Sequence, residues 1–173
     1  NIPLAPGSYV VRMAVMDSAG RVGSVDHRVE ARLASLGALS AAGPMLVRMP
    51  SRPEVPPRLA LDGVRQDERL AMQVDLDGDR DRLAGTQVVF EIAASAEGPA
   101  LVTAEAALSA GANDRAAFAQ GMADVRVLPP GSYVARATIK TGEETVGVMR
   151  RAFAVLEAPR IMTEATMVAS ATP

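Results

Sequence analysis

The chain has 173 residues, with 18 Lys+Arg against 20 Asp+Glu and a formal net charge of −2. That length can bury a real core in one domain or two small ones, and the near-neutral balance leaves no basic footprint for a nucleic-acid backbone. The lack of cysteine excludes disulfides, thiolate metal sites and cysteine nucleophiles, while a single histidine, His27, leaves most zinc sites and a Ser-His-Asp arrangement short of parts.

The chain opens on Asn1 and runs almost at once into a motif that normally sits late in a domain. It therefore reads as a piece of a longer protein. Leu4-Ala5-Pro6-Gly7-Ser8-Tyr9-Val10-Val11-Arg12 recurs as Leu128-Pro129-Pro130-Gly131-Ser132-Tyr133-Val134-Ala135-Arg136, and the same offset aligns Val22-Gly23 with Val146-Gly147. Each copy continues as a strand, a short polar turn and a second strand. The turns are Asp17-Ser18-Ala19-Gly20 and Thr141-Gly142-Glu143-Glu144, so both copies predict β-hairpins. Pro and Gly make a tight corner between two sheets. The tyrosine then begins the next strand, buries its ring and can return its hydroxyl to backbone near the corner. This is the tyrosine corner of Greek-key sandwiches.

In chain order, residues 1–35 read as the closing hairpin of a truncated sandwich. Residues 36–57 follow as a connection rich in proline (Pro50, Pro53, Pro56, Pro57), with an edge strand possible in Leu36–Val47. The longest uncharged run, Leu33 to Val47, is broken by Gly37, Gly43 and Pro44 and falls short of the roughly 20 apolar residues of a spanning helix.

Residues 58–157 supply strands for one complete sandwich, at about 58–62, 68–76, 86–94, 100–107, 116–128, 132–140 and 146–156. Period-two alternation supports them: Leu70, Met72, Val74 and Leu76 share one face, as do Val88, Phe90 and Ile92, and Tyr133, Ala135, Ala137 and Ile139. Alanine-rich Ala100–Ala110 and Asp114–Ala123 compete as short helices. In the first of these, Leu101, Val102 and Thr103 tip the balance to a strand. The end, 158–173, is expected to fray from Ile161 onward.

Three places tempt a chemical reading. Asp75-Leu76-Asp77-Gly78-Asp79-Arg80-Asp81 resembles a calcium loop, but counting from Asp75 puts Arg80 where the glycine and Thr86 where the glutamate should be. It reads as a polar loop with an Asp77-Gly78 turn; a calcium site from clustered carboxylates remains the alternative. His27 follows Asp26, and neighbours on a strand point to opposite faces, so they form no dyad. Glu143-Glu144 marks a hairpin tip, unlike two carboxylates held across a glycosidase cleft. Aromatic residues are only 3% with no Trp, and Tyr9 and Tyr133 are committed to corners, which argues against a sugar-stacking platform. Phe90, Phe118 and Phe153 read as core. Arg150-Arg151 and Arg80/Arg82 are short pairs beside acids, as on a solvated strand or loop. No catalytic, cofactor-binding or metal-binding residue is assigned, and no cofactor.

The stretch from Leu4 to Val15, running on to Gly20-Arg21-Val22-Gly23-Ser24-Val25, resembles the segment after the von Willebrand factor A domain in bacterial VWFA-related proteins. In that family the stretch closes one β-sandwich, and a further β-rich domain ends in its own L-P-P-G-x-Y strand, as at Leu128–Tyr133. The family's metal site carries Asp-x-Ser-x-Ser in the A domain. Here Ala19 and Arg21 stand at the corresponding spacing from Asp17, so no metal residue carries over. The resemblance implies an exported protein, extracellular or periplasmic, with an upstream domain for metal-dependent protein adhesion.

The expected fold is all-β, an immunoglobulin-like or fibronectin type III-like Greek-key sandwich preceded by the last hairpin of a second one. The expected function is a non-catalytic structural or protein-interaction module at the C-terminal end of a larger exported bacterial protein. The expected partners are the upstream domain or another protein, with no nucleic acid, membrane span or carbohydrate. The alternative is an accessory domain of a secreted hydrolase.

Overall fold

A computed structural model describes residues 7–52 and 54–158. The Leu4–Pro6 half of the first corner and the expected fraying from Ile161 lie outside the described residues. The strands are β1 (Gly7–Met16), β2 (Val22–Ala31), β3 (Ala34–Leu36), β4 (Leu39–Ala41), β5 (Met45–Met49), β6 (Arg58–Leu59), β7 (Val64–Arg65) and β8 (Arg69–Gly78). After helix α1 (Arg80–Ala84) come β9 (Thr86–Ala93), β10 (Ala100–Glu105), β11 (Ala107–Ala110) and β12 (Ala116–Ala123). A 3-10 turn (Val125–Val127) then leads into β13 (Gly131–Thr141) and β14 (Glu144–Leu156).

The protein is all-β, and its main body is a two-sheet sandwich. One sheet runs β10-β9-β13-β14-β7; the other runs β11-β12-β8-β4-β3, with β5 and β6 also on the β4 side of β8. The period-two faces read from sequence meet between them. Leu70, Met72, Val74 and Leu76 of β8 share one buried cluster with Val88, Phe90 and Ile92 of β9 and Ala135, Ala137 and Ile139 of β13. Burial on this scale is the main stabilising term.

Local departures from the expected strands have identifiable causes. The expected strand 100–107 divides: β10 belongs to one sheet and β11 to the other, so the chain changes sheets at Ala106. Gly121 of β12 sits beneath this crossing, where an added Cβ would lie 2.7 Å from the Phe90 ring and 2.9 Å from the Glu105 carbonyl oxygen. Both alanine-rich segments are strands. Ala117, Ala119 and Ala123 are buried facing the core, so tertiary packing outweighs helix propensity.

The expected strand 116–128 stops at Ala123. Asp124 accepts a hydrogen bond from the Arg126 N–H at 3.0 Å, and this local bond sets up the 3-10 turn. The expected strand 58–62 shortens to two residues, and Gly63, at φ 112°, turns the chain so that β7 pairs in parallel with β14.

Leu36–Val47 does more than skirt an edge. β4 and β5 both pair with β8, at Leu76–Gly78 and Arg69–Gln73, as one line of strand interrupted around Gly43-Pro44. The Ala42 N–H still donates to the Asp75 carbonyl across the interruption, at 2.9 Å. The Asp77-Gly78 turn is corrected: both residues belong to β8, where Gly78 pairs with Leu39 and leaves room for its side chain. The bend follows at α1, which sequence reading did not anticipate.

Candidate functional site

β1 and β2 make a separate two-stranded sheet. In this hairpin Gly7 faces Ala31, Tyr9 faces Val29, Met13 faces Val25 and Val15 faces Gly23. In the β13–β14 hairpin Gly131 faces Val155, Tyr133 faces Phe153, Ala137 faces Met149 and Ile139 faces Gly147. The two registers coincide from Gly7/Gly131 to Val15/Ile139; beyond that β13–β14 shifts by one residue at Ile139/Lys140, and β1–β2 does not. The corner tyrosines also share a posture: a Cβ added at Gly7 would lie 3.5 Å from the Tyr9 ring, and one at Gly131 3.7 Å from the Tyr133 ring.

The second corner is closed as expected. The Tyr133 hydroxyl donates to the Pro129 carbonyl at 2.8 Å, and the buried ring lies 6.1 Å from that of Phe153.

The surroundings of the two hairpins differ. On β13, Ala135, Ala137 and Ile139 are fully buried beneath the opposite sheet. At the matching face of the first hairpin Met13 is 57% exposed, Val15 73% and Val25 53%. A Cβ at Gly147 would strike the Leu36 side chain at 2.5 Å, whereas one at Gly23 would meet only Val15, at 3.9 Å.

The reverse face of the β1–β2 hairpin carries a polar network, with exposed Val10, Met16 and Val22 on the same side. Arg12 makes a two-pronged bond to Asp26 at 2.8 and 2.7 Å, and Ser8 donates to Glu30 at 2.5 Å. Among the described residues, the face that carries Val11, Met13, Val15 and Val25 is exposed, while Tyr9 and Val29 at its end are half-buried. An isolated two-stranded hairpin is only marginally stable in water, and such a face normally rests on another layer.

The other tempting places resolve simply. His27 stands opposite Val11 on the apolar face while Asp26 bonds Arg12 on the polar one, so the neighbours diverge. Asp77 and Asp79 both receive the Arg115 guanidinium, at 3.3 and 2.7 Å, and Asp75 accepts from Gln73 at 2.8 Å. Among the described residues no group of three or more His, Cys, Asp or Glu could hold a metal ion, and no helix is long and apolar enough to cross a membrane. Glu143 lies at the hairpin tip as expected, whereas Glu144 already belongs to β14, paired with Thr141.

Phe90 and Phe153 are core, but Phe118 is not. With Ala117 and Ala119 facing inward, period two turns Phe118 outward between Ser109 and Asp75, where it is half-buried. Sequence reading also missed a concentration of arginines at one end of the sandwich, because Arg48, Arg58 and Arg65 are scattered among prolines and short strands.

The chain matches no family model, no curated protein and no solved structure.

Proposed function

We propose that this chain is a non-catalytic structural or protein-interaction module from the C-terminal part of a larger exported bacterial protein. Its sandwich spaces or presents an upstream domain, and its β1–β2 hairpin supplies the closing strand pair of a second sandwich. One observation carries the reading: β1–β2 repeats the register of β13–β14 as far as Val15/Ile139 while, among the described residues, Met13, Val15 and Val25 lie exposed with no layer over them. A strand pair built like the last hairpin of a sandwich gains most by burial against the rest of one. Left open, the same face and its unpaired edges invite association with other chains. The bacterial and exported setting rests on the resemblance of the two corner segments to VWFA-related proteins.

The test is to lengthen the chain upstream in its own reading frame and compare amide exchange in β1 and β2. The reading expects alternating apolar strands directly upstream and slower exchange at Val11–Val15 in the longer protein. A start codon at the first residue, or an upstream sequence that leaves the hairpin exchanging as before, overturns it.

A further inference from the structure

A second feature stands apart from the hairpin. At one end of the sandwich a pocket of about 200 Å3 is lined by Arg48, Pro50, Val55, Arg58, Arg65 and Glu68. Arg48 lies on β5 two residues beyond buried Leu46 and so takes an inward position at the end of the core. The register of β5 and β6 sets Arg58 directly opposite it. Arg65 arrives from the other sheet, on β7 just after fully buried Val64.

Like charges directly opposite each other across a strand pair are destabilising. None of these three guanidinium groups forms an ion pair or side-chain hydrogen bond among the described residues, and the Nε of Arg48 is buried without a partner. The one carboxylate in the lining, Glu68, accepts the backbone N–H of Arg65 at 2.9 Å. It leaves the pocket with an excess of positive charge. The walls are anchored, since Ser51 on the approach to the pocket donates its hydroxyl to the Asp67 carbonyl.

We propose that this pocket binds a doubly charged oxyanion, either inorganic phosphate or sulfate or a phosphate monoester. Planar guanidinium forks match the paired oxygens of such groups and bind them with charge-assisted hydrogen bonds. A bound dianion would turn the Arg48/Arg58 repulsion into a shared attraction and give the buried Nε an acceptor. Counting roughly 30 Å3 for each water-sized group, the space takes the oxyanion and a few further atoms.

The test is thermal unfolding of the full chain in inorganic phosphate, inorganic sulfate and phenyl phosphate. Sodium chloride at matched ionic strength serves as reference. A ligand that binds only the folded state raises Tm with its concentration, here by a few °C once well above its Kd. The proposal expects a saturable rise for at least one oxyanion, reduced at least tenfold in affinity in Arg58→Gln and in Arg65→Gln. It expects the rise to be kept in Arg12→Gln on the hairpin and the affinity to rise several-fold in Glu68→Gln. Tighter binding of phenyl phosphate than of inorganic phosphate identifies a phosphate monoester; the reverse identifies the free anion. A rise that tracks ionic strength without saturating, or one unchanged in both arginine variants, overturns the site.

Discussion

Ile139 and Val15 occupy matching places in the two hairpins, opposite Gly147 and Gly23, yet one is fully buried and the other 73% exposed. Truncating each to alanine therefore measures what covers each face. Ile139→Ala removes three carbons from a sealed core, about 0.8 kcal/mol each in transfer free energy, and partial relaxation around the void adds a cavity cost. The expected loss is about 2.5–4 kcal/mol, a fall in Tm of about 10–15 °C for a body of this size. Val15→Ala removes two carbons already in water and should cost less than about 0.5 kcal/mol. Urea unfolding followed by far-UV circular dichroism, with tyrosine fluorescence as a second probe, reads both. A loss above about 1.5 kcal/mol at Val15 would mean that the hairpin face is already covered, and a loss below about 1 kcal/mol at Ile139 would refute the placement of the core.

Other perturbations test separate parts of the account. Tyr133→Phe removes the corner hydrogen bond to the part-buried Pro129 carbonyl and should cost about 1–1.5 kcal/mol in urea unfolding, with the sheet signal in circular dichroism unchanged. Gly121→Ala drives a Cβ toward the Glu105 carbonyl oxygen and the Phe90 ring, and a main-chain carbonyl yields little, so about 1–3 kcal/mol should be lost. A hydrogen bond from the Arg126 guanidinium, joined by one from its backbone N–H, holds the Asp124 carboxyl down at about 2, below its usual 3.8. The stabilisation from this pairing is therefore fully present above pH 3.8 and is lost as pH falls through about 2. A carboxyl carbon titration should show that low midpoint in the protein and a higher one in Arg126→Gln, still below 3.8 because the backbone N–H of residue 126 remains.

Legibility followed the physical range of each signal. Alternation along β8, β9 and β13 is written in consecutive residues, so their core faces could be read directly. The corner motif is equally local, and Tyr133 behaves as its spacing implies. Features set by contacts distant in sequence were not legible. The division of 100–110 between two sheets depends on Gly121, and the pairing of β4 and β5 with β8 depends on residues far along the chain. Phe118 shows the limit of reading hydrophobicity without strand phase. The exposed hairpin face needed both sources: the repeat supplied the expectation, and comparison of Met13 and Val15 with buried Ala137 and Ile139 gave it content. The arginine pocket had no sequence signature, since its three members come from three short strands in two sheets.

Residue-resolved amide exchange of the chain at low protein concentration tests the central claim most directly, because it compares the two hairpins within one molecule. The account predicts that β1 and β2 exchange at least about a hundredfold faster than β13, close to the rate of a frayed hairpin, while β13 opens only with the whole sandwich. Equal protection of the two hairpins, independent of protein concentration, would contradict it.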